Sequence, residues 1–219
     1  MMSTRPLLDQ SAPRRSRGLP SRVRFAPLGG ATVLLALVVM AHYVAKPVRD
    51  AYLLREWGST SVGFLGLLLF VLSGAIALLQ GVVFNRIGRR FVFGLISILT
   101  VGVYAAFPYL EPGSPRLAAL ALATSIGLFQ YFGLANAWAL ADSSSHDSSL
   151  ARHYSVIGFG GPIGAVLGAG LAEALSASGR HLQMLVVAAG VVGLSFVVWL
   201  MTESLVPNST DDRSMFLAQ

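Results

Sequence analysis

Six stretches of apolar residues, each close to the length of a membrane-crossing helix, follow one another along this chain with short polar breaks between them. They fall near 29–53, 62–84, 91–109, 117–140, 154–175 and 182–202. A helix needs roughly 20 apolar residues to cross the hydrocarbon of a bilayer. Of the 219 residues, 54% are hydrophobic and only 12% charged, about half the charge of an ordinary soluble domain. Too few charges remain to coat a water-facing surface. In hydrocarbon every peptide group needs a partner within the protein, so the spans should be helices. The short alternating pattern of a membrane barrel is missing. The fold class expected is therefore an all-α membrane protein with six transmembrane helices.

The breaks carry turn and polar chemistry. Arg55 to Thr60 separates the first pair of spans and Asn85 to Arg90 the second. Glu111-Pro112-Gly113-Ser114-Pro115-Arg116 ends one helix and starts the next. Asp142 to His153 is a polar connector, and Ser176 to His181 a shorter one. Three regions follow: a basic tail at 1–27, a six-helix transmembrane domain at 28–203, and a polar tail at 204–219. The first tail is rich in Arg, Ser and Pro and reads as disordered. A transit peptide has a similar composition. The first apolar run is too long for a cleaved signal peptide and has no small-residue cleavage site after it.

The chain has no cysteine. Disulfides, thiolate metal sites, iron–sulfur clusters and a cysteine nucleophile are excluded. The net charge of +6 would suggest nucleic acid in a soluble protein. In a membrane protein it reports orientation, because cytoplasmic loops collect Arg and Lys. With the amino terminus inside, that side holds Arg5, Arg14, Arg15, Arg17, Arg22 and Arg24 of the tail, together with Arg86, Arg89, Arg90, Arg152 and Arg213. The other side is left with Arg55, Arg116 and Arg180, and with Lys46 and Arg49 in or at the end of the first span. Both termini are therefore expected in the cytoplasm.

Two motifs narrow the reading. The break between spans two and three runs Gly81-Val-Val-Phe-Asn85-Arg86-Ile-Gly88-Arg89-Arg90. It resembles the loop signature of the major facilitator superfamily, with Asn85 where the family has an acid. Gly81 would allow close helix approach and Gly88 a tight turn. In that family the loop latches two transporter halves, and Asn85 removes one charge from the latch. Span five carries Gly158-Phe-Gly160-Gly161-Pro162-Ile-Gly164, continuing to Gly168 and Gly170. It resembles the family's Gly-Pro motif, with Ala165 in place of a second closing glycine. Gly160, Gly164 and Gly168 form a small-residue face for helix packing, and Pro162 can bend the span. Residues 28 to 203 thus resemble one six-helix half of a major facilitator transporter. Lys46-Pro47-Val-Arg49-Asp50 and Trp138-Ala-Leu-Ala-Asp142 are similar to segments of bacterial relatives of ATP/ADP translocases. That resemblance implies a bacterial inner membrane and transport of a nucleotide-like solute.

Ionisable groups within a span are expensive and usually functional or paired. His42, Lys46, Arg49 and Asp50 fall at i, i+4, i+7 and i+8, on one helical face. Facing a bundle interior, they would make a cationic wall for a carboxylate or phosphate. Asp50 would hold Arg49 or exchange protons. The competing reading is a helix end at the outer surface, with Lys46 snorkelling to the interface. Span four offers Tyr131, Asn136 and Trp138 as ligand contacts, although Trp138 also fits an interfacial belt. Glu173 in span five is a candidate proton carrier near the outer end. No catalytic, metal or nucleotide-loop motif is present, so no enzyme, cofactor or metal is expected.

Transporters of this class are two six-helix halves related by an axis along the membrane normal. The chain is as long as one half. The expected function is a half-length secondary transporter of a small anionic or nucleotide-like solute, working by alternating access. Its expected partners are membrane lipids and either a second copy, a separate second half or a larger membrane complex. The alternative is a non-transporting subunit that uses the six-helix scaffold to assemble with such a complex.

Overall fold

The polar breaks mark where the helices stop, and glycine makes three of those stops possible. A computed structural model describes residues 21–144 and 150–205; side chains are described from 28 onward, except most of those in 60–90 and those of 143–153. All the described elements are helices: α1 (Ser21–Ile87), α2 (Arg89–Leu110), α3 (Pro115–Ser144), α4 (Leu150–Gly158), α5 (Gly160–Ala177) and α6 (His181–Ser204). Within α1, Gly58 takes φ 72° and ψ 172°, which divides the helix into an amino-terminal limb and a carboxy-terminal limb. A Cβ at Gly58 would meet nothing within 4 Å. It is the backbone conformation, closed to most L residues, that calls for glycine there. Gly88 at φ 89° separates α1 from α2, and Gly179 at φ 68° separates α5 from α6. After Gly179 the Arg180 N–H donates to the Leu175 carbonyl, one way of satisfying the carbonyls left open at a helix end. Pro115 opens α3, where its missing N–H costs nothing.

Among the described residues, five helices are long and apolar enough to cross a membrane: Leu28–Ser59, Phe91–Leu110, Pro115–Asp142, Tyr154–Ala177 and His181–Ser204. The second expected span, 62–84, is helical as the carboxy-terminal limb of α1, but most of its side chains lie outside the described ones. The polar connector proves shorter than its composition suggests. Helix continues to Ser144 and resumes at Leu150. The seam between α4 and α5 has a local cause. Pro162 cannot donate to the Gly158 carbonyl, while Phe159 and Ile163 keep their bonds to Ser155 and Phe159 at 3.3 Å each.

The amino-terminal limb of α1 is the centre of the bundle. It buries Leu34, Val38, Ala41, Val44, Ala45 and Val48. Helix α1 packs against α3, α5 and α6, and α2 packs against α3 and α6. Small residues set the closest approaches. A Cβ at Gly133 of α3 would lie 2.5 Å from the Val38 side chain, and one at Gly30 would lie 2.2 Å from Thr202 of α6. Away from α1, Phe93, Phe129, Phe196 and Trp199 join α2, α3 and α6, with neighbouring ring centroids 5.2–6.2 Å apart.

The running directions follow from these contacts. Gly160, Gly164 and Gly168 meet Thr32, Ala36 and Met40 in ascending order, so α5 runs parallel to the amino-terminal limb. Arg55 Nη2 lies 2.8 Å from Glu111 Oε1, which ties the end of that limb to the α2–α3 turn. The junctions at Gly58, at 111–114 and at 178–180 therefore lie at one end of the bundle. The two helical passes between Arg55 and Glu111 go out and come back. Large apolar side chains such as Ile98, Val166 and Val186 point outward, a surface consistent with a lipid environment.

Candidate functional site

The residues expected to bind solute begin on α1. At 3.6 residues per turn, His42, Lys46, Arg49 and Asp50 occupy one strip of that helix. The strip lies between the side carrying Val38 against α3 and the side carrying Ala36 and Met40 against α5. Its charges are only partly separate. Arg49 Nε and Nη2 both reach Asp50 Oδ1, at 2.8 and 2.7 Å. With side-chain exposures of 17% and 38%, the two groups largely neutralise each other while staying within reach of the surface. His42 is half-buried, stands edge-on to Tyr43 at 5.6 Å, and its Nδ1 has no hydrogen-bond partner among the described residues.

Lys46 is the charge of the strip that faces open space. Its ammonium lies 5.7 Å from the centre of the Tyr43 ring, within range of a cation–π attraction. Tyr43, Lys46 and Pro47 form one wall of a cleft of about 440 Å³, and Ala172, Glu173 and Ser176 of α5 belong to the other. The cleft has a simple origin. From Gly160 to Gly168 the two backbones touch, because each fourth residue of α5 lacks a side chain. Beyond Gly168 the series continues with Ala172 and Ser176, the helices can no longer close, and a gap opens. Glu173 is one turn from the end of α5, so the gap lies at the end that carries the Gly58 junction.

The other expected ligand contacts lie elsewhere. Asn136 is 1% exposed, and its Nδ2 donates to the Phe132 carbonyl one turn back at 2.8 Å. Tyr131 packs on the core and stands edge-on to Phe132. Trp138 meets Tyr154 at 5.7 Å between ring centroids, and the Tyr154 hydroxyl donates to Asp142. These three residues tie α3 to α4 on either side of the polar connector. The cleft is not lined by Tyr131, Asn136 or Trp138.

The loop signature is described only along its backbone. Helix runs through Gly81, Asn85 and Arg86 to Ile87, breaks at Gly88, and resumes at Arg89 and Arg90. The side chains of Asn85, Arg86, Arg89 and Arg90, and those of Gln80, Arg152 and His153, lie outside the described ones, as do residues 1–20, His146 and 206–219 altogether. In the Gly-Pro motif, Gly160, Gly164 and Gly168 face α1, while a Cβ at Gly161 would meet nothing within 4 Å and Pro162 is exposed. No group of His, Asp and Glu suited to a metal ion occurs among the described residues.

The sequence singles out Lys46 and Glu173, but does not show that they face each other across one cleft, nor that Ser176 lies beside them. Glu173 and Ser176 had a readable signal: they continue the four-residue rhythm of the glycines, one residue off it and on it respectively. No known protein family, curated protein or solved structure matches the chain.

Proposed function

We propose that this chain is an integral membrane protein of six transmembrane helices, with 62–84 as the sixth, and one half of a secondary transporter. It moves a small solute bearing a negative group by alternating access, after pairing with a second half or a second copy. Both termini face the cytoplasm. One observation carries the reading: Lys46 stands on the wall of a cleft in a bundle whose outer surface is apolar. A charge inside a spanning segment is costly unless paired or used. Among the described residues Lys46 has only the Tyr43 ring. The likeness of 81–90 to a major facilitator loop and the out-and-back course of 59–110 support the same architecture.

The test is uptake into proteoliposomes of radiolabelled solutes that carry a negative group, including amino acids, simple carboxylates, phosphate and ADP. Lys46→Ala with Arg49→Ala is expected to abolish the uptake of whichever probe the native protein carries. Unchanged uptake removes this strip from the pathway.

The topology has a direct measurement, since the native chain has no cysteine. Single substitutions Glu111→Cys and Ser178→Cys are expected to react with a membrane-impermeant maleimide from outside intact cells. Arg90→Cys is expected to react only after the cells are opened. Labelling of all three from one side would refute the arrangement.

The scaffold reading finds support in the outer end of the bundle. Arg55 joins Glu56 and Glu111 and covers the Tyr52 ring at 4.6 Å, an arrangement that fixes helix ends and needs no solute. Native uptake of none of the probes, with a larger complex recovered in mild detergent, would favour it.

A further inference from the structure

The cleft between α1 and α5 holds both signs of charge. Lys46 stands on one wall and Glu173 on the other. Neither has an ion-pair partner among the described residues, and they do not reach each other. The remaining charges of the strip, Arg49 and Asp50, are already joined at 2.7 Å. A free anion would therefore meet a region of no net positive charge, and a polyphosphate would face the carboxylate of Glu173. A solute that carries an ammonium as well as a carboxylate would complete both walls at once.

A third group suits the ammonium. Pro47 has no N–H, so the Tyr43 carbonyl, four residues back in the helix, lacks its ordinary donor. Tyr43 and Pro47 both line the cleft, so a carbonyl relieved of its usual helical donor by Pro47 lies beside it. An unpaired acceptor away from water costs free energy until something donates to it. The Ser176 hydroxyl offers one more polar contact, and the rest of the lining near Glu173 is Ala169, Ala172 and Ala177. Those methyl groups leave room for a small apolar substituent and offer it no hydrogen bond. At about 440 Å³ the space lies in the range of small-molecule sites and does not demand a large ligand.

We infer that the α1–α5 cleft binds a small amino-acid-like zwitterion, its carboxylate on Lys46 and its ammonium on Glu173 and the Tyr43 carbonyl. This deepens the transport reading of the same site by naming the class of solute.

The test is equilibrium binding to the full chain in nanodiscs. Alanine, β-alanine and γ-aminobutyrate scan the spacing between the two charges. N-acetylalanine keeps only the carboxylate, and alanine amide only the ammonium. At least one zwitterion is expected to bind about tenfold or more tightly than either single-charge analogue, because each analogue leaves one charge of the cleft unpartnered. The single swaps Lys46→Glu and Glu173→Lys should each lose that binding, and the double swap should restore it. N-acetylalanine or ADP binding as well as every zwitterion would overturn the inference, and so would binding of no zwitterion. The native protein's probe panel decides this even where a swapped variant does not fold. Zwitterion binding without any flux in proteoliposomes would overturn the transport reading instead and leave the site standing.

Discussion

Gly164→Ala is expected to lower the thermal midpoint of the bundle in detergent, by an amount equivalent to about 1–3 kcal/mol. The added Cβ would lie 2.1 Å from the Ala36 carbonyl oxygen and 2.9 Å from the Ala36 carbonyl carbon and Cα. These are backbone atoms of a packed helix, and no rotamer change moves them aside. Helix α5 would have to retreat from α1, and Gly160 and Gly168 would lose their contacts with it. Gly161→Ala is the matched control, since its Cβ would meet nothing within 4 Å. Helix propensity favours alanine over glycine by about 1 kcal/mol, so Gly161→Ala should hold the midpoint or raise it. Opposite responses at adjacent positions report packing and not propensity. Equal responses at 161 and 164 would contradict the close approach of the two helices.

Trp199→Ala should be the most damaging single truncation, at about 3–5 kcal/mol. Trp199 is fully buried, edge-on to Phe93 at 5.2 Å and stacked on Phe196 at 6.0 Å. In a bilayer the loss is not one of water exclusion, because lipid tails are as apolar as leucine. What disappears is dispersion contact between α6 and α2, and the space left behind has no neighbouring atoms to replace it. Trp199→Phe separates the parts. It keeps an aromatic ring in the cluster and removes an indole N–H that has no partner among the described residues. Its midpoint is expected close to that of the native protein. A Trp199→Phe variant as unstable as Trp199→Ala would show that the indole nitrogen, and not the ring packing, holds the site together.

The helices could be read from the sequence because length and composition alone define a membrane-crossing segment. The expected 91–109 is matched by Phe91–Leu110, and 182–202 by His181–Ser204. The turns were legible for a similar reason: Gly58, Gly88 and Gly179 sit inside the polar breaks, where a positive φ is needed. The inward and outward faces were not legible. In water an apolar stripe points to the core, but here both sides of a helix are apolar. On α6, Val192 is buried while Val186 and Val197 are exposed, and nothing in their chemistry separates them. Asn136 shows a related limit, with its Oδ1 left without a partner among the described residues. A polar residue within a span looks like a ligand group, yet a short amide can satisfy its donor on its own helix, as it does with Phe132. Lys46 was legible as a charge within an apolar span. Its opposite number required knowing that α1 and α5 run in the same direction.

That shared direction has a mechanical consequence. Three successive backbone-to-backbone seats, at Thr32, Ala36 and Met40, make α1 and α5 a single stiff beam from the end that carries Thr32 and Gly160 to the mouth of the cleft. Both jaws of the gap belong to that beam. They cannot be prised apart without unseating the glycines, so the gap moves as a unit. On the transport reading proposed above, it is the swing of other helices past the beam that would expose the gap to one compartment and then the other.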